Sequence, residues 1–135
     1  MFHTFQTYNL FISHSWDYHQ DYEKLKDWLA ESNIYYKNYS IPIEKELDVS
    51  GIKELKTRIT YHISAASVVI ILAGMYANYS RWIDYEIHEA IRLGKPILGV
   101  YPRGQERTPI KITTAADVMV HWNSNSFIHE LKSLL

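Results

Sequence analysis

The chain has 135 residues, no cysteine, and a net charge of −1 from 14 basic and 15 acidic side chains. That length suits one domain with one buried core, and the charge balance gives no reason to expect nucleic acid or an anionic membrane as partner. The lack of cysteine excludes disulfides and thiolate metal sites. With no apolar run of membrane length and no basic leader, we expect a cytoplasmic protein. We therefore predict a single domain over residues 1–135.

Short apolar runs alternate along the chain with amphipathic segments. The predicted strands are Tyr8–Ser13, Ile34–Ile41, Ser67–Ala73, Pro96–Tyr101 and Asp117–His121, and the predicted helices are Asp17–Glu31, Gly51–Ser64, Ser80–Leu93 and Ser124–Leu135. Ser67–Ala73 is apolar on both faces, which is typical of a central parallel strand. Gly94 is predicted to end the helix before it. Residues 42–50 are predicted to form a polar loop, and residues 102–116 to hold at most a short helical turn.

This alternation of strand and helix predicts an α/β fold of the flavodoxin-like, doubly wound type. Right-handed crossovers then give five parallel strands, for which the order 2-1-3-4-5 is common. In that order the topological switch lies between strands 1 and 3, and ligands bind outside the carboxyl ends of the strands there. Residues 13–17, after strand 1, and 74–86, after strand 3, are expected to meet at this crevice.

The helix after strand 3 carries a candidate acidic group. Its predicted buried face consists of Ile83, Ile87, Ala90 and Ile91. Glu86 lies at the edge of that face, whereas Glu89 is placed farther round toward solvent. Trp82 precedes Glu86 by one helical turn, so its ring is expected to cover the stem of the carboxylate. Partial desolvation at this position is expected to raise the pKa of Glu86.

Several other kinds of site are disfavoured. A histidine between serines, such as His14, is more often a hydrogen-bonding loop residue than a base. Ser13, His14 and Asp17 share one short loop without a nucleophile elbow, so they are no triad. The sequence has no Gly-x-Gly-x-x-Gly or Walker A loop, and its histidines lack metal-ligand spacing. A receiver domain would need an aspartate where residues 73–75 read Ala-Gly-Met, and a flavodoxin would need a Ser/Thr-rich phosphate loop.

Three segments in this order resemble TIR domains. YNLFISHSWDYHQDY, from Tyr8, is similar to their first strand and loop. KNYSIPIEKELD, from Lys37, is similar to the second strand and loop of the bacterial TIR-like branch that includes the Thoeris anti-phage proteins. SVVIILAGMYANYSRWIDYEIHEAIRLGKPILGV, from Ser67, resembles the third strand, third helix and fourth strand. Within it, Trp82 and Glu86 match the Trp-x-x-x-Glu pattern of NAD-cleaving TIR domains. The tail after Pro102 carries little family signal.

The resemblance implies an enzyme that cleaves NAD⁺ between nicotinamide and ribose. Its other product would be ADP-ribose or a cyclic or conjugated derivative that acts as a second messenger in anti-phage defence. Residue by residue, Glu86 takes the catalytic position. The residues implied to bind substrate are Ser13, His14, Trp16, Tyr79 and Trp82. NAD⁺ enters as substrate, with no further cofactor and no metal.

The resemblance also implies partners. Small TIR-like enzymes often complete their site by association, so self-association through residues 42–50 and nearby helices is expected on activation. A downstream effector would sense the nucleotide product.

Two alternatives to an NAD-cleaving enzyme remain. One is a non-catalytic TIR-like adaptor that acts only through protein contacts and keeps the helix residues for packing. The other is a nucleoside deoxyribosyltransferase, a related fold with a glutamate nucleophile. Incubation with NAD⁺ and with deoxynucleosides would distinguish these classes.

Overall fold

The structure of the protein, a computed structural model, describes residues 7–13, 20–40, 51–104 and 107–135, and for residues 75–80 it describes only the backbone. The strands in these ranges are β1 Tyr8–Ser13, β2 Tyr36–Asn38, β3 Val68–Leu72, β4 Ile97–Val100 and β5 Val118–Val120. The helices are α1 Gln20–Glu31, α2 Ile52–Ala65, α3 Tyr76–Arg92, α4 Ile110–Ala115 and α5 Ser124–Ser133. A 3₁₀ turn, Ala73–Met75, joins β3 to α3.

The five strands form one sheet in the order β2-β1-β3-β4-β5, and every pair is parallel. This confirms the predicted flavodoxin-like α/β fold and strand order. Ser13, the last residue of β1, pairs with Ile71 of β3, which pairs in turn with Gly99 of β4. The carboxyl ends of the three central strands therefore lie side by side at one edge, with the switch between β1 and β3 as predicted.

The core lies on both faces of the central strands. All five residues of β3 are buried, because helices cover the sheet on each side. α1 packs against α5, and α3 packs against α2 and α4. Right-handed crossovers place α1 and α5 on one face of the sheet and α2, α3 and α4 on the opposite face. Glu86, on α3, therefore approaches the sheet from the face opposite α1.

Two glycines have clear local roles. Gly94 ends α3 with a φ of +68°, where the Lys95 N–H donates to the Ala90 carbonyl and the Gly94 N–H to the Ile91 carbonyl. This is a Schellman cap, and it confirms the predicted helix end. Gly99, inside β4, lets the Met119 side chain of β5 lie where a Cβ atom would stand.

The structure differs from the sequence prediction at several element ends. β2 is shorter than the predicted Ile34–Ile41. Beyond it, Ser40 Oγ accepts a 3.0 Å hydrogen bond from the Ile12 N–H, so a side chain replaces the strand partner of β1. The helix predicted from Ser80 begins at Tyr76, directly after the 3₁₀ turn. Residues 110–115 form a six-residue helix where at most a short turn was predicted. The predicted loop at residues 42–50 lies outside the described residues.

Within the described ranges, no helix combines the length and the apolar character needed to span a bilayer.

Candidate functional site

Ser13 marks the end of β1 at the topological switch. It is the final residue of the strand, pairs with Ile71 of β3, and is only 1% exposed. A hydroxyl so deeply buried normally has a hydrogen-bond partner. Nevertheless, Ser13 Oγ makes no hydrogen bond of good geometry in the part of the chain that the structure describes. A polar group is thus held at the crevice with hydrogen-bonding capacity left over.

Glu86 faces the same place from α3. Ile83, three residues before it, and Ala90, four residues after it, are buried in the core, and Glu86 shares their side of the helix because residues three and four apart lie on one face. The residue is 7% exposed, and its Oε2 likewise has no hydrogen-bond partner among the described residues. A carboxyl group therefore sits in the protein interior with one oxygen unpaired within the described part of the chain.

Burial raises the pKa of the Glu86 carboxyl to about 7, and the nearby Ser13 side chain opposes this rise. The dominant cause is desolvation, which disfavours the charged form. The Ser13 hydroxyl favours the carboxylate as a hydrogen-bond donor, although the contact falls short of full hydrogen-bond geometry. The carboxyl is consequently poised between its two protonation states near neutral pH, as is common for reactive groups.

Of the predicted site residues, the structure brings Ser13 and Glu86 together. Trp82 lies one turn before Glu86 and is partly buried, with the Arg81 guanidinium 5.4 Å from its ring centroid. The backbone of Tyr79 belongs to α3, but its side chain lies outside the description, as do His14 and Trp16 altogether. The roles assigned to all six residues remain predictions.

The predicted exposure of α3 was wrong at two positions. Ile91, placed on the buried face, is 59% exposed, whereas Glu89, placed toward solvent, is 5% exposed. The buried face is rotated toward the two glutamates because α2 packs against this side of α3. Hydrophobicity alone predicted the buried face of α3 incorrectly, because Glu89 is kept on that face by polar partners.

Those partners form a network between α2 and α3. Glu89 Oε2 accepts from Arg92 Nε at 2.7 Å, and its Oε1 accepts from Arg92 Nη2 at 3.0 Å and from Thr60 Oγ1 at 2.6 Å. The Tyr85 hydroxyl lies 2.7 Å from Thr60 Oγ1. Chiefly through Arg92, these contacts lower the pKa of Glu89 to about 2. Glu89 is therefore a structural carboxylate.

A groove of about 570 Å³ lies over this network on the outer side of the two helices. It is lined by Ile52, Lys53, Lys56, Thr57, Thr60 and Tyr85. Lys56 Nζ stands 5.3 Å from the Tyr85 ring centroid. Neither Ser13 nor Glu86 lines this groove, so it is distinct from the crevice at the strand ends.

The sequence analysis did not predict an ion pair that lies near the carboxyl ends of the strands. Arg103, three residues after β4, places its Nε 3.0 Å from Oδ1 of Asp21, near the start of α1. Residues 102–116 gave little signal, and the pair joins positions that are more than eighty residues apart in sequence. Only the three-dimensional structure shows that the two side chains meet.

No cluster of three potential metal ligands occurs among residues 7–13, 20–40, 51–104 and 107–135.

Comparison with known proteins places this chain in a TIR-like class. The family model described as "Thoeris protein ThsB, TIR-like domain" matches residues 11–107. The chain belongs to this family of Thoeris TIR-like domains. The match includes β1 from Phe11, the whole of α3 and the loop that carries Arg103. No curated protein sequence is significantly similar to the chain.

Two solved structures share the fold. One, described as the Clostridium botulinum CMP N-glycosidase BcmB, has 15% sequence identity and a TM-score of 0.57, and the match covers 93% of this chain and 98% of that one. The other, a 3-dehydroquinate dehydratase-like protein from Bifidobacterium longum, has 12% identity and a TM-score of 0.50, with 95% and 94% covered. At these identities the likeness establishes the fold only.

Proposed function

We propose that this protein cleaves NAD⁺ at the bond between nicotinamide and ribose, with Glu86 as the catalytic carboxylate. The observation that carries the proposal is the buried Glu86 carboxyl beside Ser13 at the carboxyl edge of β1 and β3, whose Oε2 has no hydrogen-bond partner among the described residues. Ligands bind at this position in doubly wound sheets. Membership of the Thoeris TIR-like family supports a role in anti-phage signalling.

The proposed reaction needs only modest help from the protein. The bond between C1′ of the ribose and the pyridinium nitrogen breaks, and nicotinamide leaves as a neutral molecule with both bonding electrons. Water then adds to C1′ and loses a proton, giving ADP-ribose. If a hydroxyl or ring nitrogen of the same nucleotide attacks instead, the product is cyclic. No general acid is required because the leaving group starts as a cation.

The Glu86 carboxylate would stabilise the positive charge that develops on the ribose. The transition state resembles an oxocarbenium ion, as in glycoside hydrolysis. A preorganised charge in a water-poor site interacts with it more strongly than it would in water. With a pKa of about 7, a substantial part of the Glu86 population is already ionised at neutral pH. A bound pyridinium would increase that part, because an opposite charge favours the carboxylate.

A second candidate is the cleavage of another N-ribosyl bond, such as that of a nucleoside monophosphate. The shared fold with a protein described as a CMP N-glycosidase favours it. A pyrimidine base is a poorer leaving group than nicotinamide and normally needs a proton. The protonated part of the Glu86 population could supply one, but the same group would then be unavailable as the stabilising anion. NAD⁺ fits a single unpaired carboxyl better.

Self-association on activation and an effector that senses the product complete the proposal. Residues 42–50, which we expect to contribute to association, come after β2 in the sequence, and β2 lies on the far side of β1 from β3. A neighbouring copy would reach the crevice from that side. Specific activity that rises with protein concentration would support this assembly, whereas a constant value over a wide range would oppose it.

Product analysis by mass spectrometry after incubation with NAD⁺, with and without a crowding agent, tests the activity. Glu86→Gln keeps the shape of the side chain and removes its charge, so we expect a loss of ~10²–10³-fold. Asp84→Asn is the matched control. It removes a carboxylate from the same helix, where Asp84 Oδ2 lies 3.0 Å from Lys111 Nζ, and we expect activity within a few fold of wild type.

Equal activity in wild type and Glu86→Gln would remove Glu86 from the mechanism. Absence of cleavage in the wild type under every condition would favour the adaptor instead. Cleavage of a nucleoside monophosphate in preference to NAD⁺ would favour the second candidate.

A further inference from the structure

Arg103 is held in a fixed position at the same sheet edge as Ser13 and Glu86. Its Nε lies 3.0 Å from Asp21 Oδ1, and its guanidinium carbon lies 4.5 Å from the ring centroid of Trp122. The carboxylate thus engages one edge of the guanidinium, and an indole supports its plane. The Arg103 side chain is nevertheless 50% exposed.

Both supports of Arg103 are themselves anchored. Asp21, near the start of α1, is 8% exposed. Trp122 packs against Trp28 of α1 with ring centroids 4.8 Å apart, and Trp28 packs against Phe127 of α5. A side chain held in this way loses little conformational freedom when it binds a ligand.

The surroundings of Gly74 locate this group relative to the strand ends. The Cβ position of Gly74, just after β3, is 3.7 Å from Asp21 Oδ2 and 3.7 Å from Pro102 Cβ. The end of β3, the start of α1 and the residues after β4 therefore meet at one point. Because β1, β3 and β4 are adjacent, the ends of β1 and β4 lie roughly 10 Å apart, or two strand spacings.

We propose that Arg103 binds a phosphate group of the nucleotide substrate while Glu86 acts at the ribose. This inference rests on the proposed function and adds the chemical class that the site recognises, a phosphorylated ribosyl pyridinium. Ser13 ends β1 and Arg103 follows β4, and strand ends two spacings apart suit a substrate whose phosphate lies several bonds from the bond that breaks. Arginine offers several N–H donors in a planar fork that matches phosphate oxygens, and the exposed part of Arg103 can donate to them.

Asp21 does not prevent phosphate binding in this arrangement. Asp21 contacts the Nε of a guanidinium whose side chain stays 50% exposed. Its charge weakens the attraction of an anion, so the binding gain should be moderate. We expect loss of the guanidinium to weaken phosphate binding about 10-fold, in the range of hydrogen bonds between charged groups.

Steady-state kinetics with three substrates tests the proposal. NAD⁺ carries a pyrophosphate, nicotinamide mononucleotide one phosphate, and nicotinamide riboside none. For Arg103→Gln we expect KM to rise about 10-fold with the two phosphorylated substrates, with kcat within a few fold, and no change with the riboside. Arg103→Lys keeps the charge but lacks the planar fork of donors. Its KM values for the phosphorylated substrates should lie between those of wild type and Arg103→Gln. Arg107→Gln, which removes an exposed arginine from the same connecting segment, is the control and should match wild type.

An equal rise in KM for all three substrates would show that Arg103 only positions the site, and unchanged KM values would also overturn the proposal. Should Arg103→Gln fail to fold, Arg103→Lys carries the same comparison. If the wild type cleaves none of the three substrates, the proposed function fails. Calorimetric binding of ADP-ribose to wild type and the Arg103 variants then decides the phosphate site separately. Equal affinity would refute it, and a loss of about 10-fold would support it.

Discussion

Glu86 and Glu89 are two buried carboxyl groups one turn apart on α3, and their environments are opposite. Glu89 has Arg92 and Thr60 as partners, and its pKa is lowered to about 2. Glu86 Oε2 has no partner among the described residues, and burial raises the pKa of the group to about 7. The same residue type on the same helix is thus fixed as an anion in one place and left near its titration point in the other.

The difference shows how to separate structural from reactive groups in this protein. A paired carboxylate is already stabilised by its neighbours, so a bound substrate stabilises its charge little further. An unpaired buried carboxyl is costly to keep, and such a cost is most often found where a ligand supplies the missing interaction. Titratable groups whose surroundings move their pKa values apart are therefore a guide to function.

The largest expected effect in this comparison is the pH dependence of stability at Glu86. The folded-state pKa of about 7 exceeds the 4.5 of an unperturbed glutamate, so the folded protein binds more protons between these values. The stabilising contribution is present below about pH 4.5 and is lost as the pH rises through about 7. The change amounts to about 3 kcal/mol at most. Glu86→Gln, which cannot ionise, should lack it.

Urea unfolding of wild type and Glu86→Gln between pH 5 and pH 8 measures this term. The stability of the variant relative to wild type should increase from pH 5 to about pH 7 and level off above that pH, even if the buried amide makes the variant less stable at pH 5. Parallel pH profiles for the two proteins would mean that Glu86 is solvated or paired in solution.

Glu89→Gln is expected to behave in the opposite way. Glutamine keeps an acceptor for Thr60 but loses the charge that Arg92 requires, so about 1–2 kcal/mol of stability should be lost at neutral pH. Because the pKa of Glu89 is lowered to about 2, this contribution is present above about pH 4.5 and disappears as the pH falls through about 2.

The activity of Glu89→Gln should remain within a few fold of wild type under conditions where the variant is folded. Thermal unfolding and NAD⁺ turnover measured on the same preparation separate the two effects. A 10²-fold loss of turnover with little loss of stability would exchange the roles assigned to the two glutamates.

Much of the fold could be predicted from sequence patterns that are local to a single strand or helix. The fully apolar Ser67–Ala73 run identified the central strand, and Gly94 identified the end of α3. Strand order then followed from the general handedness of crossovers. The short β2 did not follow, because its end is set by Ser40 binding to Ile12, a contact between distant parts of the chain.

The candidate site was predicted less completely for the same reason. The position of Glu86 beside the core could be inferred from helical spacing, but that of Glu89 could not, since its burial depends on Thr60 of another helix. Arg103 and Asp21 gave no joint signal, because only the folded sheet brings the end of β4 to the start of α1. Contacts between side chains that are far apart in the sequence leave no periodic pattern from which they could be predicted.

The smallest expected effect concerns Ser13, whose side chain lowers the pKa of Glu86 against the larger effect of burial. If the ionised carboxylate is the active form, kcat/KM for NAD⁺ should rise with pH and level off above a midpoint near 7. Ser13→Ala removes the opposing influence, so the midpoint should move upward, by less than burial itself moves it. The plateau at high pH measures any direct contact of the Ser13 hydroxyl with the substrate, because Glu86 is then ionised in both proteins. Ser64→Ala removes an exposed hydroxyl from α2 that donates to Tyr61, and it should leave the midpoint in place. Rate profiles between pH 5.5 and 9 for the three proteins measure the shift.

A midpoint that stays fixed or moves downward in Ser13→Ala would show that the hydroxyl does not act on the carboxylate. A lower plateau with an unchanged midpoint would instead assign Ser13 to substrate binding.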